Sequence, residues 1–341
     1  MGGTLVTRVD AIIIGAGQAG PPLAGRLTAA GMTVVLAERH LFGGTCVNTG
    51  CMPTKTLVAS AYAAHLARRG ADFGVVLDAP VRVDMPRVKA RADAVTLKAR
   101  SGVEKSLRSM NGCTVVQGHA RFENTDRVRV GDDVFSAPRV FINVGGRATV
   151  PDMPGVREVP FLTNTSILEL DRVPDHLVVV GGSYIGLEFA QMYRRFGATV
   201  TIVEKSPRLI GREDEEVSDA IAAIMSAEGI AVRTNATCIS LAPDDEGMRV
   251  GVDCTDGAPT VSGSDVLLAA GRKPNTHDLG LDRAGVATDE RGYIVVDDTL
   301  ATNVPGIWAL GDCNGRGAFT HTSYNDFEIV AANLLDAPSA A

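Results

Sequence analysis

Aromatic side chains are scarce in this chain: its 341 residues carry a single Trp, and Phe, Trp and Tyr together make up 5%. With 37 Gly available and few aromatics, the better fit is tightly packed α/β units joined by Gly-dependent turns, not a β-sandwich. Positive charge is in deficit, with 33 basic against 40 acidic residues, a net charge of -7 and no basic block, which argues against a nucleic-acid partner. Long apolar runs are missing too. The run Ala11 to Gly17 near the N-terminus is too short for a membrane span and has no cleavage site after it, so it reads as a buried strand. Six unevenly spaced cysteines without a secretion signal do not make a disulfide framework. The expectation is a cytoplasmic protein with reduced thiols, in which a close Cys pair is catalytic. No further Cys or His cluster stands at ligand spacing, so no metal site is expected. The length exceeds the ~250 to 300 residues at which single cores stop growing, which predicts two or three domains.

What the chain does contain is a repeat at an offset of 166 residues. Gly15, Gly20, Ala24, Gly31, Thr33 and Glu38 fall on Gly181, Gly186, Ala190, Gly197, Thr199 and Glu204. Each copy reads as an apolar strand, a Gly-rich turn, a helix, a Gly stop and a second strand ending in Glu: a βαβ unit with the dinucleotide fingerprint. The first Gly allows a sharp turn off the strand, the second admits the pyrophosphate, and the third lets helix and strand approach. The pyrophosphate then rests on the helix N-terminus, and the Glu accepts the ribose hydroxyls. One such turn alone could be a plain Gly-rich loop; two in register, each with its strand and acid, are harder to explain that way. Gly17 is matched by Ser183, which predicts a less intimate, exchangeable nucleotide at the second copy.

Between the first copy and the next helix runs Gly43-Gly44-Thr45-Cys46-Val47-Asn48-Thr49-Gly50-Cys51-Met52-Pro53-Thr54-Lys55. In a regular helix, residues five apart are rotated by about 140° and separated by a rise of about 7.5 Å, beyond the ~7 Å Cα separation of a disulfide. The segment must be distorted, and Gly50 is the residue that permits it. Pro53 belongs in a first helical turn, so a helix running to about Arg68 begins at Cys51. A thiol at a helix N-terminus favours its anion, and Lys55 one turn on can pair with it. Two buried cysteines that merely lie close are the alternative.

The segment Gly43 to Lys55 resembles the active-site signature of the flavin-dependent pyridine nucleotide-disulfide oxidoreductases, the family of lipoamide dehydrogenase, glutathione reductase and mercuric reductase. The wording, especially of Cys46 to Lys55 and Gly182 to Gln191, is nearest to the mercuric-reductase-like branch. The resemblance implies that Cys46 meets substrate and that Cys51 lies against the flavin as charge-transfer donor. It places Lys55 near flavin N5, paired with Glu188, and makes Tyr184 the gate of the nicotinamide pocket. Gly118-His119-Ala120 resembles the strand whose backbone meets the adenine, and Asn143-Val144-Gly145-Gly146-Arg147 stands where the family commonly has an Ala-Thr-Gly turn. Ala270 to Asn275 looks like the return crossing, and Thr302 to Asp312 like the second FAD motif, whose Asp holds the ribityl chain. Thr320 opens a helix whose dipole faces the reduced flavin. The implied FAD set is Gly15, Gly17, Gly20, Glu38, Arg39, Gly44, Thr45, Lys55, Ala120, Gly145, Arg272, Gly311, Asp312 and Thr320. The implied NAD(P)H set is Gly181, Ser183, Tyr184, Ile185, Gly186, Glu204 and Gly271.

The expected fold is α/β, with two Rossmann-like FAD/NAD(P)-binding domains. The FAD domain is discontinuous, 1–149 and 271–341, around an NAD(P)H domain at 150–270. Full-length family members homodimerise through a third, C-terminal domain that lends a His-Glu acid/base pair. The chain ends at Ala341 without it, which leaves its own oligomeric state open. None of His40, His65, His119, His176, His277 and His321 replaces that pair by motif. Glu204 repels a 2′-phosphate and leans the coenzyme toward NADH, while Lys205 and Arg208 could admit NADPH. The expected function is electron transfer from NAD(P)H through FAD to the Cys46/Cys51 disulfide and on to a small-molecule disulfide, a mercuric-ion-like species or another acceptor. The alternative is a flavin-binding fragment with only diaphorase, NAD(P)H oxidase or quinone reductase activity. Cys113, Cys238, Cys254 and Cys313 read as core or surface thiols.

Overall fold

Strands without polar interruptions are buried on both faces, and such strands pair in parallel under helices. A computed structural model describes residues 5–237, 239–245, 247–252 and 258–336; Cys238 and Cys254 lie outside them. The chain divides into two compact units. The first comprises Met1–Cys51, Thr96–Arg147 and Arg272–Ala341, and the second Met52–Val95 and Ala148–Gly271.

In the first unit the fingerprint strand Ala11–Ile14 is the middle of a five-stranded parallel sheet. The order is Ile307–Ala309, Val140–Ile142, Ala11–Ile14, Val34–Glu38, Cys113–Gln117. Alternate residues serve opposite layers, as the two-residue period of a strand requires. Ala11 and Ile13 pack with Leu23 and Leu27 of the helix Gly20–Ala29 and with Phe327 and Val330 of the helix Thr320–Ala331. Ile12 and Ile14 pack with Phe122, Val128 and Phe135 of a second, four-stranded sheet. That sheet is antiparallel except where Val6–Arg8 joins Asp133–Ser136 in parallel.

The second unit repeats the plan. His176–Val180 is flanked by Thr199–Val203 and Asp265–Leu268, with Ala231–Arg233 at the edge, all parallel. One face carries the helix Tyr184–Phe196, and the other a three-stranded antiparallel sheet through Leu241, Met248 and Val250. The predicted α/β class with two Rossmann-like units is therefore what the chain folds into. Residues 52–95 group with the second unit, as do residues 148–149 and 271 at the expected boundaries. Leu57 and Ala61 of the helix Cys51–Arg68, with Met85 and Ala92 of the helix Met85–Arg108, bury against Leu177, Val179 and Leu187.

The two fingerprint turns share their glycine geometry. Gly15 and Gly181 hold φ at +108° and +119°, where a Cβ is disfavoured, and a side chain at either would strike a carbonyl of the neighbouring strand's end, Asn143 O or Ala269 O. Gly20 and Gly186 each press on the carbonyl of the first glycine of their turn. Among the described residues no helix is long and apolar enough to cross a membrane.

Candidate active site

A dinucleotide needs a turn that lets phosphate reach backbone, free helix N-terminal amides, and an acid for the ribose. In the first unit Ala16 N donates to Glu38 Oε2 at 2.8 Å and His40 N to Glu38 Oε1 at 2.8 Å. In the second, Gly182 N donates to Glu204 Oε2 at 2.5 Å and Ser206 N to Glu204 Oε1 at 2.7 Å. A carboxylate has about four acceptor sites, so each Glu keeps lone pairs for two ribose hydroxyls. The helices after both turns have no side-chain cap: neither the Ala19 nor the Ser183 side chain bonds back to the first turn. Gly44 closes over the first turn, where its missing Cβ would lie 2.8 Å from Gly17 Cα. The residues present fit one dinucleotide per unit.

Around the first site the expected residues converge from distant segments. Arg272 donates to Gly146 O at 2.8 Å and pairs with Asp312 Oδ2 at 3.3 Å, reaching Thr45 Oγ1 at 3.5 Å. Asn275 N donates to Gly145 O at 3.0 Å. Arg39 pairs with Asp278 at 2.8 Å, and His119, beside Ala120, bonds the Asp278 carbonyl at 3.1 Å. Three residues join that were not singled out. Asn143 is buried beneath Gly17 and donates to Gly15 O at 3.3 Å. Asp326, also buried, accepts from Gly311 N at 2.7 Å and Asn314 Nδ2 at 3.0 Å, which fixes the turn that carries Asp312. Asp278 ties Arg39 to His119, which precedes the strand Ala120–Phe122. Asn143 was visible as an odd residue in a turn usually written Ala-Thr-Gly; Asp326 and Asp278 carried no local signal.

The cysteine pair is made by a broken helix. A short helix, Gly44–Asn48, ends where Asn48 folds back to donate to Gly44 O and Phe42 O, both at 2.9 Å, while Arg100 holds its Oδ1 at 2.7 Å. The backbone leaves helical geometry at Thr49 (φ −141°), and a new helix starts at Cys51, as Pro53 predicted. Gly50 serves through its lack of bulk and not through a left-handed turn: a Cβ there would stand 3.0 Å from Thr45 O and 3.4 Å from Cys46 Cα. Both thiols are free and half-buried. Burial, and then the neighbouring Cys51 sulfur, push the Cys46 thiol up to about 11. Thr320 Oγ1 lies 3.2 Å from Cys51 Sγ. Cys313 is fully buried, bonded to Leu310 O and Ile142 O, and burial raises it to about 12, so it is a core thiol. Cys113 is half-buried, and burial raises it too.

In the second unit Lys55 Nζ forms an ion pair with Glu188, and the Tyr184 hydroxyl donates to Glu213, which raises the phenol. Lys55, Tyr184, Leu187, Glu188, Met192 and Ile210 line part of a cleft of about 640 Å³. Ile210 is a buried β-branched residue at φ +40°, a strained conformation of the kind found at functional sites. Its N–H donates to Gly182 O at 2.8 Å, so the segment behind it lies on the second Gly-rich turn. Ile185 packs at the margin of the helix-side core, and Gly271 (φ +113°) accepts from Thr149 N at 2.9 Å. Among the described residues no group of three or more His, Cys, Asp or Glu is placed to hold a metal ion.

The family model described as pyridine nucleotide-disulphide oxidoreductase matches residues 9–326. A mercuric reductase of Streptomyces lividans is 36% identical over 335 residues, covering 97% of this chain and 70% of that protein. The probable pyridine nucleotide-disulfide oxidoreductase RclA of Escherichia coli (strain K12) is 36% identical over 337 residues, covering 97% and 71%. A solved structure, the Cu(II) complex of the HOCl-induced flavoprotein disulfide reductase RclA from Escherichia coli, superposes with a TM-score of 0.86 at 34% identity, again over 97% of this chain and 71% of that one.

Proposed function

The chain belongs to the pyridine nucleotide-disulphide oxidoreductases, enzymes that use FAD and NAD(P)H, and from that premise we propose that it passes electrons from NADH through FAD to Cys46 and Cys51. The final acceptor is a small-molecule disulfide or a soft metal ion such as mercuric ion. The observation that carries this reading is the helix break at Thr49-Gly50, which sets the two thiols side by side with Thr320 against Cys51. FAD, when bound, supplies a two-electron carrier between nicotinamide and disulfide. Glu38 and the first Gly-rich turn hold its adenosine and pyrophosphate, and Asp312, kept in place by Arg272 and Asp326, holds its ribityl chain. Glu204 and the Gly181 turn hold the nicotinamide coenzyme, with Tyr184 at the entrance and Lys55 oriented by Glu188. Cys51 would be the sulfur on the flavin side; the Cys46 thiolate would attack one sulfur of a disulfide acceptor and release the other as a thiol, and Cys51 would then displace the second thiol and re-form the Cys46–Cys51 disulfide.

Glu204 disfavours a 2′-phosphate, and Arg208 is occupied by Glu215 at 2.8 Å; both support NADH. Anaerobic titration of the FAD-loaded protein with NADH tests the proposal. The expected result is a long-wavelength charge-transfer absorbance that Cys51→Ser abolishes and Cys46→Ser keeps. Absence of that absorbance in the unmodified protein would sink the assignment.

A further inference from the structure

The segment between Glu204 and the helix Glu215–Ala227 holds the strained Ile210, a feature that electron transfer alone does not call for. Ile210 is β-branched and buried, and it adopts φ +40° only at a cost. Two bonds hold it there: Ile210 N donates to Gly182 O and Glu213 N donates to Ile210 O, both at 2.8 Å. Leu209 presses on the same turn, where a Cβ built on Gly182 would stand 2.5 Å from its Cδ2. The backbone of Glu213 is thereby mounted on the second Gly-rich turn. Its carboxylate accepts from the Tyr184 hydroxyl, and that bond raises the phenol, which keeps its proton to donate. Tyr184 opens the helix Tyr184–Phe196, whereas Glu213 stands two residues before the helix Glu215–Ala227. Leu187 and Met192 of the first helix and Val217 and Ile221 of the second line one cleft, so the bond runs from one wall to the other.

We propose that Glu213 is a positioning residue that latches the Tyr184 ring across this cleft, so that the nicotinamide half of the coenzyme enters only when the bond between them opens. The inference rests on the assignment of the Gly181 turn as the coenzyme site. The ADP-ribose half is served by Glu204, which is bonded to Gly182 N and Ser206 N, and by the turn itself. The nicotinamide half is the part that must pass Tyr184, in the cleft that Lys55 and Glu188 also line. Binding of the whole coenzyme therefore forfeits a hydrogen bond that binding of ADP-ribose keeps. A latched ring lowers the apparent affinity by the fraction of molecules in which the bond is open. Tyr184 and Glu213 are both exposed, so water competes for the bond, and the latch is worth about two- to tenfold in affinity. The strain at Ile210 gives this bond a rigid mount: it lets the backbone of Glu213 follow the nucleotide turn directly, which leaves only the Glu213 side chain free to swing.

The test is calorimetric titration of oxidised, FAD-loaded protein with NAD+, which cannot reduce the flavin, and separately with ADP-ribose, which lacks the nicotinamide. The quantity read is the ratio of the two affinities, so that any effect of charge on the shared phosphates cancels. Glu213→Ala and Tyr184→Phe should each raise the ratio in favour of NAD+ by about two- to tenfold, and the double variant no further than either single one. Glu213→Gln loses the charge but keeps an oxygen that accepts from the phenol, so its ratio should stay within about twofold of the unmodified protein. The proposal is overturned if the two single variants leave the ratio unchanged, if their gains add in the double variant, or if Gln gains as much as Ala. If the unmodified protein binds neither nucleotide, the coenzyme assignment fails and the latch with it. If it binds both and the ratio does not move, the latch alone fails.

Discussion

Gly44 and Gly285 hold nearly the same left-handed backbone, φ +63° and φ +69°, in the same unit, and differ in what surrounds the missing side chain. Nothing lies within 4 Å of a Cβ built on Gly285, whereas one on Gly44 would stand 2.8 Å from Gly17 Cα. Alanine at either position carries the left-handed penalty of about 1 to 2 kcal/mol. At Gly44 the obstacle is backbone with no rotatable end, so a further overpacking cost of about 1 to 3 kcal/mol falls on that variant alone. The segment that must move is Gly17, in the turn assigned to the FAD pyrophosphate, so FAD affinity should fall at least about tenfold, or 1.4 kcal/mol. Gly285→Ala ends the short helix Leu281–Ala284 and touches none of the candidate FAD residues, so its affinity should stay within about twofold. Urea unfolding of the two apoproteins reads the first difference, and flavin-fluorescence titration the second. Equal unfolding midpoints and equal FAD affinities for the two variants would refute the claim that the Gly44 loop is packed on the Gly17 turn.

Two further outcomes follow from the same geometry. Burial raises the Asp326 carboxyl above its ordinary value, against the hydrogen bonds from Gly311 and Asn314. Its contribution to stability is then full below the ordinary Asp value of about 3.9 and is lost as pH rises through the raised one. Asp326→Asn removes that loss, so the difference in Tm, Asn variant minus unmodified protein, should grow from pH 4 to pH 7, and a flat or falling difference counts against it. Glu215→Gln releases Arg208 from its ion pair. An exposed pair is worth about 0 to 1 kcal/mol, so the kcat/KM ratio of NADPH to NADH should rise by up to about fivefold, and no rise would show that Arg208 does not reach the ribose.

The parts of this fold that were legible in the sequence are those in which backbone geometry restricts residue choice. Gly15 and Gly181 sit where a Cβ would collide and φ is positive, so glycine marks both turns and the offset of 166 residues carries through to the matched bonds of Glu38 and Glu204. Pro53 likewise announced a helix starting at Cys51. Legibility stops where a residue's partner is chosen by tertiary structure. The stripe at Leu57 and Ala61 shows that the helix buries a face, but the same stripe suits either sheet, and it packs with the second unit. The short helix Gly44–Asn48 ends through Asn48, which is held by Arg100, 52 residues away. Asp326 looks like any acid on a helix until Gly311 is seen to donate to it. The same limit governs the chemistry of the pair. That Thr320 opens a helix follows from local sequence, but the partner of its hydroxyl lies 269 residues earlier. The spacing of Cys46 and Cys51 with Gly50 and Pro53 can therefore predict a broken helix that brings the two together, while the contact of Thr320 with Cys51 exists only after the Thr320–Ala331 helix has packed against its unit's parallel sheet.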